Sequence, residues 1–254
     1  MPPTRAREGE LAPSLRGVTF DWWGTLYQHR EARRRRVQKI LEVLAAHGVP
    51  VSQDEVEAAY LVAAETFDRE WRAGRAYSPE RWLDEILTQV DADIPESECL
   101  MLRRFMEEAM LDHPPEMVPG ARDLLHDLHA AGVKLGLISD TGLTVGRVMR
   151  TILDRDGVLT FFQGLAFSDE VGVTKPNPLT FRRALEGMGV APAEAVHVGD
   201  LPFTDVRGAK ELGMRAVLIT GVTGLPDDGQ ADAVVKDFAE LRELFRAWRL
   251  LPPG

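Results

Sequence analysis

Acidic side chains that directly follow short apolar runs are the first candidates for chemistry in this sequence. Asp21 comes after the apolar run 18–20, and Gly24 follows it within the same turn. A carboxylate at the end of a buried strand is costly to desolvate unless it is paired or bound to a metal. Glycine permits a sharp turn and close approach of a ligand to the backbone. Taken alone, Asp21 is equally well explained as a turn or helix-capping aspartate.

Two further carboxylates, Asp200 and Asp205, flank the start of a predicted helix directly after the apolar run 195–198. Mg²⁺ in proteins is held by a few carboxylates, several waters and phosphate oxygens of the substrate. Asp21, Asp200 and Asp205 could together provide such a site.

Groups suited to an anion lie between these acids in the chain. Ser139 and Asp140 stand at a predicted strand-to-helix junction, where a hydroxyl and free backbone N–H groups favour an anionic oxygen, although both residue types are also common helix caps. Lys175 is one of only five lysines and is stiffened by Pro176 and Pro178. An exposed loop lysine is the alternative explanation.

Short apolar runs alternate with amphipathic segments in most of the chain, which predicts βαβ units and a parallel sheet covered on both faces. The predicted strands are 18–20, 133–138, 195–198, 216–219 and 233–235, and the predicted helices are 121–131, 145–153, 179–188, 205–212 and 238–249. Ligands of such sheets bind beyond the carboxyl ends of the strands, where the candidate residues stand.

Residues 31–112 depart from this rhythm, because apolar residues recur there only at helical spacing. The sequence therefore predicts an α/β core interrupted after its first strand by an all-helical insert. The predicted division is a tail at 1–14, a core at 15–29 and 114–254, and the insert at 30–113.

Composition limits the function classes. The 254 residues are 44% hydrophobic and 28% charged, as in ordinary globular proteins. A formal charge of -10 argues against nucleic acid as a partner. No apolar stretch has the length of a membrane span, and residues 1–15 lack the apolar centre of a signal peptide, so no membrane partner is expected. With the single Cys99, this favours the cytoplasm. The oligomeric state is not predicted.

The motifs around Asp21, Ser139, Lys175 and Asp200, in this order, resemble the haloacid dehalogenase-like superfamily. The resemblance covers residues 17–27 and 116–220, and the position of the insert is similar to that of members with a helical cap of the C1 type. It implies a Rossmann-like α/β fold with an inserted all-helical cap domain, and a hydrolase, most often a Mg²⁺-dependent phosphatase of phosphorylated small molecules.

The resemblance assigns roles to matching positions. Asp21 matches the nucleophile that forms an aspartyl-phosphate, and Ser139 and Lys175 match the groups that hold the transferring phosphoryl oxygens. The implied metal ligands are Asp21, the backbone carbonyl of Trp23 and Asp200, and Asp205 is implied to lie behind them and to position the metal or its waters. Contacts to the phosphate or substrate are predicted at Gly24, Thr25 and Asp140.

One position departs from the pattern. Most phosphatase members carry a second aspartate two residues after the nucleophile, where this chain has Trp23, and indole cannot serve as that general acid/base. Such catalysis is commonly worth ~10²–10⁴-fold in rate. His29 and His113 are candidate substitutes, although ordinary surface histidines are the better explanation of both.

Alternative activities therefore stay open. One is a metal-free 2-haloacid dehalogenase, which the paired acids Asp200 and Asp205 argue against. Another is a phosphonate-cleaving enzyme, for which the insert offers only Lys39. A third is a weakly active or non-catalytic member that binds a phosphorylated ligand or a protein.

The aromatic residues are expected to be mostly buried, and the basic run to be mostly exposed. Trp22 is expected in the core and Trp23 at the mouth of the site, while Trp71, Tyr77 and Trp82 are expected in the core of the insert. Residues 33–36 are four consecutive arginines, which predict a solvated helix face. The sharper hypothesis is that one or two of them reach an anionic substrate.

Overall fold

The computed structural model describes residues 14–253, which include a six-stranded sheet whose strand pairs are all parallel. The strand order is β3-β2-β1-β4-β5-β6, the order of a doubly wound, Rossmann-like sheet. The predicted α/β class is confirmed. The strands are β1 Gly17–Phe20, β2 Lys134–Ser139, β3 Phe162–Phe167, β4 Ala195–Gly199, β5 Arg215–Ile219 and β6 Ala233–Val235.

The sequence predicts five of these strands and misses β3, which forms one edge of the sheet. Gln163 and Gly164 interrupt its apolar pattern, so the run does not read as a buried strand. Gly164 is needed because a side chain there would come within 2.0 Å of the Ala184 carbonyl oxygen. Because close packing of a helix against β3 requires this glycine, the continuous apolar run by which buried strands are predicted is missing here.

Six helices accompany the sheet, and the ends of most lie near their predicted positions. They are α5 Ala121–Ala130, α6 Gly146–Arg155, α7 Ser168–Val171, α8 Pro178–Met188, α9 Arg207–Glu211 and α10 Phe238–Ala247. The short α7 was not predicted. The helix predicted at 205–212 is in fact a π-helical turn, Pro202–Val206, that leads into α9.

Alternating side chains build an apolar cluster on each face of the sheet. Val217 and Ile219 of β5 belong to one cluster, and Leu218 between them belongs to the other. This follows from the two-residue period of a strand. The sheet is thus buried on both faces, as its nearly continuous apolar runs indicate.

Residues between β1 and α5 form four helices, α1 Arg33–Ala46, α2 Gln53–Arg72, α3 Pro79–Gln89 and α4 Glu96–Glu108. They pack around an apolar cluster of their own that includes Ile40, Leu44 and Ile86. Ser52 begins α2 in a capping box with Glu55, which satisfies backbone N–H groups at that helix start. Tyr77 and Trp82 lie in this cluster as predicted, whereas Trp71 does not.

None of the described helices combines the length and apolar character that a membrane crossing requires.

Candidate active site

Asp21 leaves the carboxyl end of β1, between the ends of β2 and β4. Its backbone N–H donates to the Val198 carbonyl oxygen at 2.9 Å, which continues the β1–β4 ladder into the site. Asp21 is 5% exposed and lines a cavity of about 620 Å³ between the edge of the sheet and the four helices that follow β1. The cavity is of the size that takes a small ligand.

Lys175 holds the carboxylates together. Its Nζ lies 2.5 Å from Asp21 Oδ1 and 2.6 Å from Asp205 Oδ1, and it also donates to the Ile138 carbonyl at 3.4 Å. Burial works to lower the pKa of Lys175, but the charges of Asp205 and Asp21 outweigh it and raise that pKa above its ordinary value. Lys175 is therefore a permanent cation on one side of Asp21.

Both carboxylate oxygens of Asp205 have hydrogen-bond partners. Oδ1 accepts from Lys175 and lies 3.1 Å from His197 Nε2, while Oδ2 accepts from the Leu201 N–H at 3.1 Å. Although burial opposes it, the cation and the histidine lower the pKa of Asp205. His197 in turn meets Thr19 Oγ1 through Nδ1 at 2.9 Å, so a buried chain of polar groups fixes the carboxylate from behind.

Asp200 has the opposite environment. Both of its oxygens are buried and have no hydrogen-bond partner among residues 14–253. Burial, and then the charge of Asp205, raise the pKa of Asp200 to about 7. Burial also raises the pKa of Asp21 above its ordinary value, against the effect of Lys175.

The three acids fit a divalent cation. One carboxylate oxygen of each of Asp21, Asp200 and Asp205 lies within 4.8 Å of the others. An unpartnered buried carboxylate is costly, and a cation bound to it would remove that cost. Hard oxygen donors of this kind suit Mg²⁺.

The turn after β1 sets the distance between the acids. Gly24 has φ +72° and lies so close to Asp200 that a Cβ would be 2.3 Å from Oδ2. The hydrogen bonds of this turn use the carbonyls of Trp22 and Tyr27, not that of Trp23. The Trp23 carbonyl thus keeps its acceptor capacity, and Gly24 makes room for Asp200 in addition to any contact with a ligand.

The two tryptophans of the turn lie as predicted. Trp22 is fully buried and stacks on Tyr27 with ring centroids 4.1 Å apart. Trp23 lines the cavity and stacks on His29, whose pKa is lowered by burial. His113 is exposed and is not among the residues that line the cavity, so the structure leaves only His29 of the two histidines near the site.

Two buried hydroxyls, those of Ser139 and Thr25, have no hydrogen-bond partner within residues 14–253. Neither side chain is among the residues that line the cavity. Their unused donors are the kind of group that an anionic oxygen near Asp21 would satisfy.

Asp140, at which a contact to phosphate is predicted, lines the cavity, and both of its carboxylate oxygens accept hydrogen bonds. Its Oδ1 accepts from the Lys175 N–H at 2.9 Å and its Oδ2 accepts from Trp71 Nε1 at 2.8 Å. Asp140 thereby joins α2 to the lysine loop.

Trp71, which was expected in the core of the insert, lies outside that apolar cluster. Besides its bond to Asp140, its carbonyl accepts from Thr174 Oγ1 at 3.4 Å, and its ring meets Phe203 edge-on at 5.5 Å between centroids. Helical spacing alone cannot distinguish a residue in the apolar cluster of the four helices from one that contacts residues beyond them. The contact of His197 with Asp205 was not predicted either, because the position of a histidine in a buried strand does not reveal its partner.

Known proteins resemble the chain along most of its length. The family described as haloacid dehalogenase-like hydrolase matches residues 15–213. A glyceraldehyde 3-phosphate phosphatase of Methanopyrus kandleri is 32% identical over 81% of this chain and 84% of its own length. Among solved structures, a haloacid dehalogenase-type phosphatase from Thermococcus onnurineus has a TM-score of 0.63 and 28% identity, covering 91% of this chain and 98% of that one.

A 2-haloacid dehalogenase from Pseudomonas syringae shares the fold, with a TM-score of 0.68 and 24% identity over 92% of this chain and 99% of its own. The order of the site residues along the chain, the sheet topology and the family match over residues 15–213 agree with one another. The chain belongs to the haloacid dehalogenase-like hydrolase family.

Proposed function

We propose that this hydrolase is a Mg²⁺-dependent phosphohydrolase that acts on a phosphorylated small molecule through Asp21. The observation that carries the proposal is a pair of buried carboxylates, of which one is paired with a cation and the other is not. Asp21 is bound to a permanent cation, Lys175, and both oxygens of the neighbouring Asp200 lack a hydrogen-bond partner within the described residues 14–253. The phosphatase names of relatives such as that of Methanopyrus kandleri support the same class of reaction.

The metal ligands in this proposal are Asp21, the Trp23 carbonyl and Asp200, with Asp205 held in place by Lys175 and His197. When bound, Mg²⁺ neutralises charge on the phosphoryl group and orients it for in-line attack. Asp205 keeps its role behind the ligands because all of its hydrogen-bond acceptors are engaged.

Asp21 attacks phosphorus with the oxygen that Lys175 does not hold. The bond from phosphorus to the substrate oxygen breaks, and an aspartyl-phosphate forms on Asp21. Lys175, Ser139 and Thr25 donate hydrogen bonds to the transferring oxygens. Water then attacks phosphorus, which releases inorganic phosphate and restores the Asp21 carboxylate.

Residues 30–113 act as a cap over this site in the proposal, and residues 15–29 and 114–254 form the core. Residues of α1, α2 and α3 line the cavity together with Asp21 and Lys175, so a ligand would contact both parts. Trp71, with its bonds to Asp140 and Thr174, would keep the cap close to the lysine loop.

Trp23 determines which substrates turn over. The indole of Trp23 cannot protonate a leaving oxygen, so substrates with good leaving groups are preferred. His29 lines the cavity beside Trp23 and is the available donor for poorer leaving groups.

The same tryptophan favours a second candidate, a 2-haloacid dehalogenase, because a departing halide needs no proton. The shared fold of the Pseudomonas syringae dehalogenase is compatible with it. The unpartnered carboxylate of Asp200 opposes it, since a haloacid anion would be repelled in the absence of a cation.

A phosphatase screen with and without Mg²⁺ tests the proposal. We expect wild type to hydrolyse p-nitrophenyl phosphate and a subset of phosphorylated metabolites only with the metal, and Asp21→Asn to lose this activity. Asp93→Asn, which changes an exposed acid outside the cavity, is the matched control. Halide release from 2-haloacids in EDTA, with no phosphatase activity, would establish the second candidate instead.

A further inference from the structure

Among the residues that the structure describes, Arg36 is a buried cation without a counter-ion. It stands in the first turn of α1 and is 6% exposed. Within residues 14–253 no carboxylate oxygen lies within 4.0 Å of its guanidinium, whereas the neighbouring Arg33 and Arg35 pair with Glu57 and Asp112. A buried charge of this kind is costly unless something compensates it.

The contacts that Arg36 does make leave its charged end weakly bound. Nε donates to the Met106 carbonyl at 2.8 Å and fixes the side chain to α4. The two terminal nitrogens reach only the hydroxyls of Tyr60, at 3.5 Å, and Thr144, at 3.4 Å. These distances are at the limit of a hydrogen bond, so the planar end of the guanidinium retains donor capacity.

The beginning of α1 is also unfavourable for the helix itself. Its N-cap is Ala32, no side chain caps the first turn, and no acidic residue stands there. Four arginines instead add positive charge to the positive end of the helix dipole. Both unfavourable features are relieved by one anion at this end of the helix.

Arg36 faces the same cavity as the proposed nucleophile. Arg30, Arg33, Arg36, Asp21 and Lys175 all line it, together with apolar side chains. The two acids of the insert that also line it are exposed, and one of them, Asp68, is paired with Arg72. An anion bound at Arg36 would therefore share the cavity with a phosphoryl group bound at Asp21.

We propose that Arg36, with the hydroxyls of Tyr60 and Thr144, binds a carboxylate of the substrate, so that the enzyme acts on phosphorylated small carboxylic acids. One guanidinium matches the single charge and planar shape of a carboxylate, to which it donates two parallel bonds. A second phosphate would carry more charge than this one buried cation balances. The inference rests on the proposed function, because Asp21 must take the phosphoryl end of the same molecule.

The test compares 2-phosphoglycolate with its methyl ester, which has nearly the same shape but no second charge. We expect wild type to prefer the acid by at least about 30-fold in kcat/KM, mainly through KM. Arg36→Met should lose this preference and leave the hydrolysis of the ester within a few-fold of wild type. Arg36→Lys should keep part of the preference, since it retains the charge but not the fork.

Arg34→Met is the matched control, because Arg34 belongs to the same turn but is exposed and does not line the cavity. It should behave as wild type with both substrates. Thermal unfolding of each variant reports whether it folds, and the acid-to-ester ratio of wild type tests the inference without any substitution. Equal rates on acid and ester in wild type, or an equal loss on both in a folded Arg36→Met, would overturn it.

Failure of the proposed function gives a different result. If wild type hydrolyses neither these compounds nor p-nitrophenyl phosphate, Asp21 is not a phosphatase nucleophile. Whenever neither 2-phosphoglycolate nor its ester is hydrolysed, the Arg36 site is measured by calorimetric binding of the two compounds. Tighter binding of the acid that Arg36→Met abolishes would support the carboxylate site alone. Equal binding of acid and ester would reject it.

Discussion

Asp200→Asn should make the metal-free protein more stable while it removes the response to Mg²⁺. The substitution keeps the shape of the side chain and deletes a buried charge that has no partner among residues 14–253. Burial and Asp205 raise the pKa of Asp200 from 3.8 to about 7. A rise of about three corresponds to roughly 4 kcal/mol at ~1.36 kcal/mol per pKa unit, and we expect about 2–4 kcal/mol after relaxation of the site.

The sign follows from linkage. The pKa of Asp200 is higher in the folded than in the unfolded protein, so its ionisation destabilises the fold. The destabilisation is complete above pH 7 and disappears as the pH falls towards 4. The advantage of Asp200→Asn should therefore be largest at pH 8 and vanish near pH 4.

Thermal unfolding in EDTA and in MgCl₂ at pH 8 measures both effects. For a chain of this size, 2–4 kcal/mol corresponds to a rise in Tm of about 4–16 °C in EDTA. Mg²⁺ should raise the Tm of wild type, through preferential binding to the folded state, and leave that of Asp200→Asn unchanged. Asp93→Asn should match wild type in both buffers. A lower Tm of Asp200→Asn in EDTA, or an equal Mg²⁺ response of the two proteins, would refute the reasoning.

Three further substitutions test other parts of the site. Gly24→Ala should reduce Mg²⁺-dependent activity at least ~100-fold, because the new Cβ would lie 2.3 Å from Asp200 Oδ2. Gly74 has a similar φ but lies in open space, so Gly74→Ala should cost only about 1 kcal/mol of stability and no activity. Lys175→Met should lower the free energy of unfolding by about 3–5 kcal/mol and abolish turnover, since two buried carboxylates lose their cation; unchanged unfolding in urea would contradict this. Trp23→Asp should raise kcat about 10-fold or more on alkyl phosphates but not on p-nitrophenyl phosphate, whose leaving group needs no proton, and steady-state kinetics with both substrates will show whether the gain is selective.

The positions of the proposed site residues at the sheet edge were predictable because they depend on chain order and strand direction. Asp21, Ser139 and Asp200 follow strands that are adjacent in the sheet, and parallel strands bring such residues to one edge. Lys175 stands in a loop, so its contact with Asp21 follows from the fold and not from the spacing of residues along the chain.

The errors came from contacts between elements distant in sequence. Strand β3 is obscured by Gly164, which a neighbouring helix requires, and the hydrogen bond between Asp140 and Trp71, about 70 residues away, does not follow from the sequence pattern. The four arginines 33–36 look alike in sequence. The structure distinguishes them, because Arg36 packs against α4 and is buried, whereas Arg34 in the same turn is exposed.

The central claim is that Asp21 is phosphorylated during turnover. Acid quench of wild type with Mg²⁺ and its best substrate, followed by peptide mass spectrometry, should find a hydroxylamine-sensitive phosphoryl group on the peptide that contains Asp21, and none in Asp21→Asn. A phosphoryl group on another residue, or turnover by Asp21→Asn at the wild-type rate, would contradict the account.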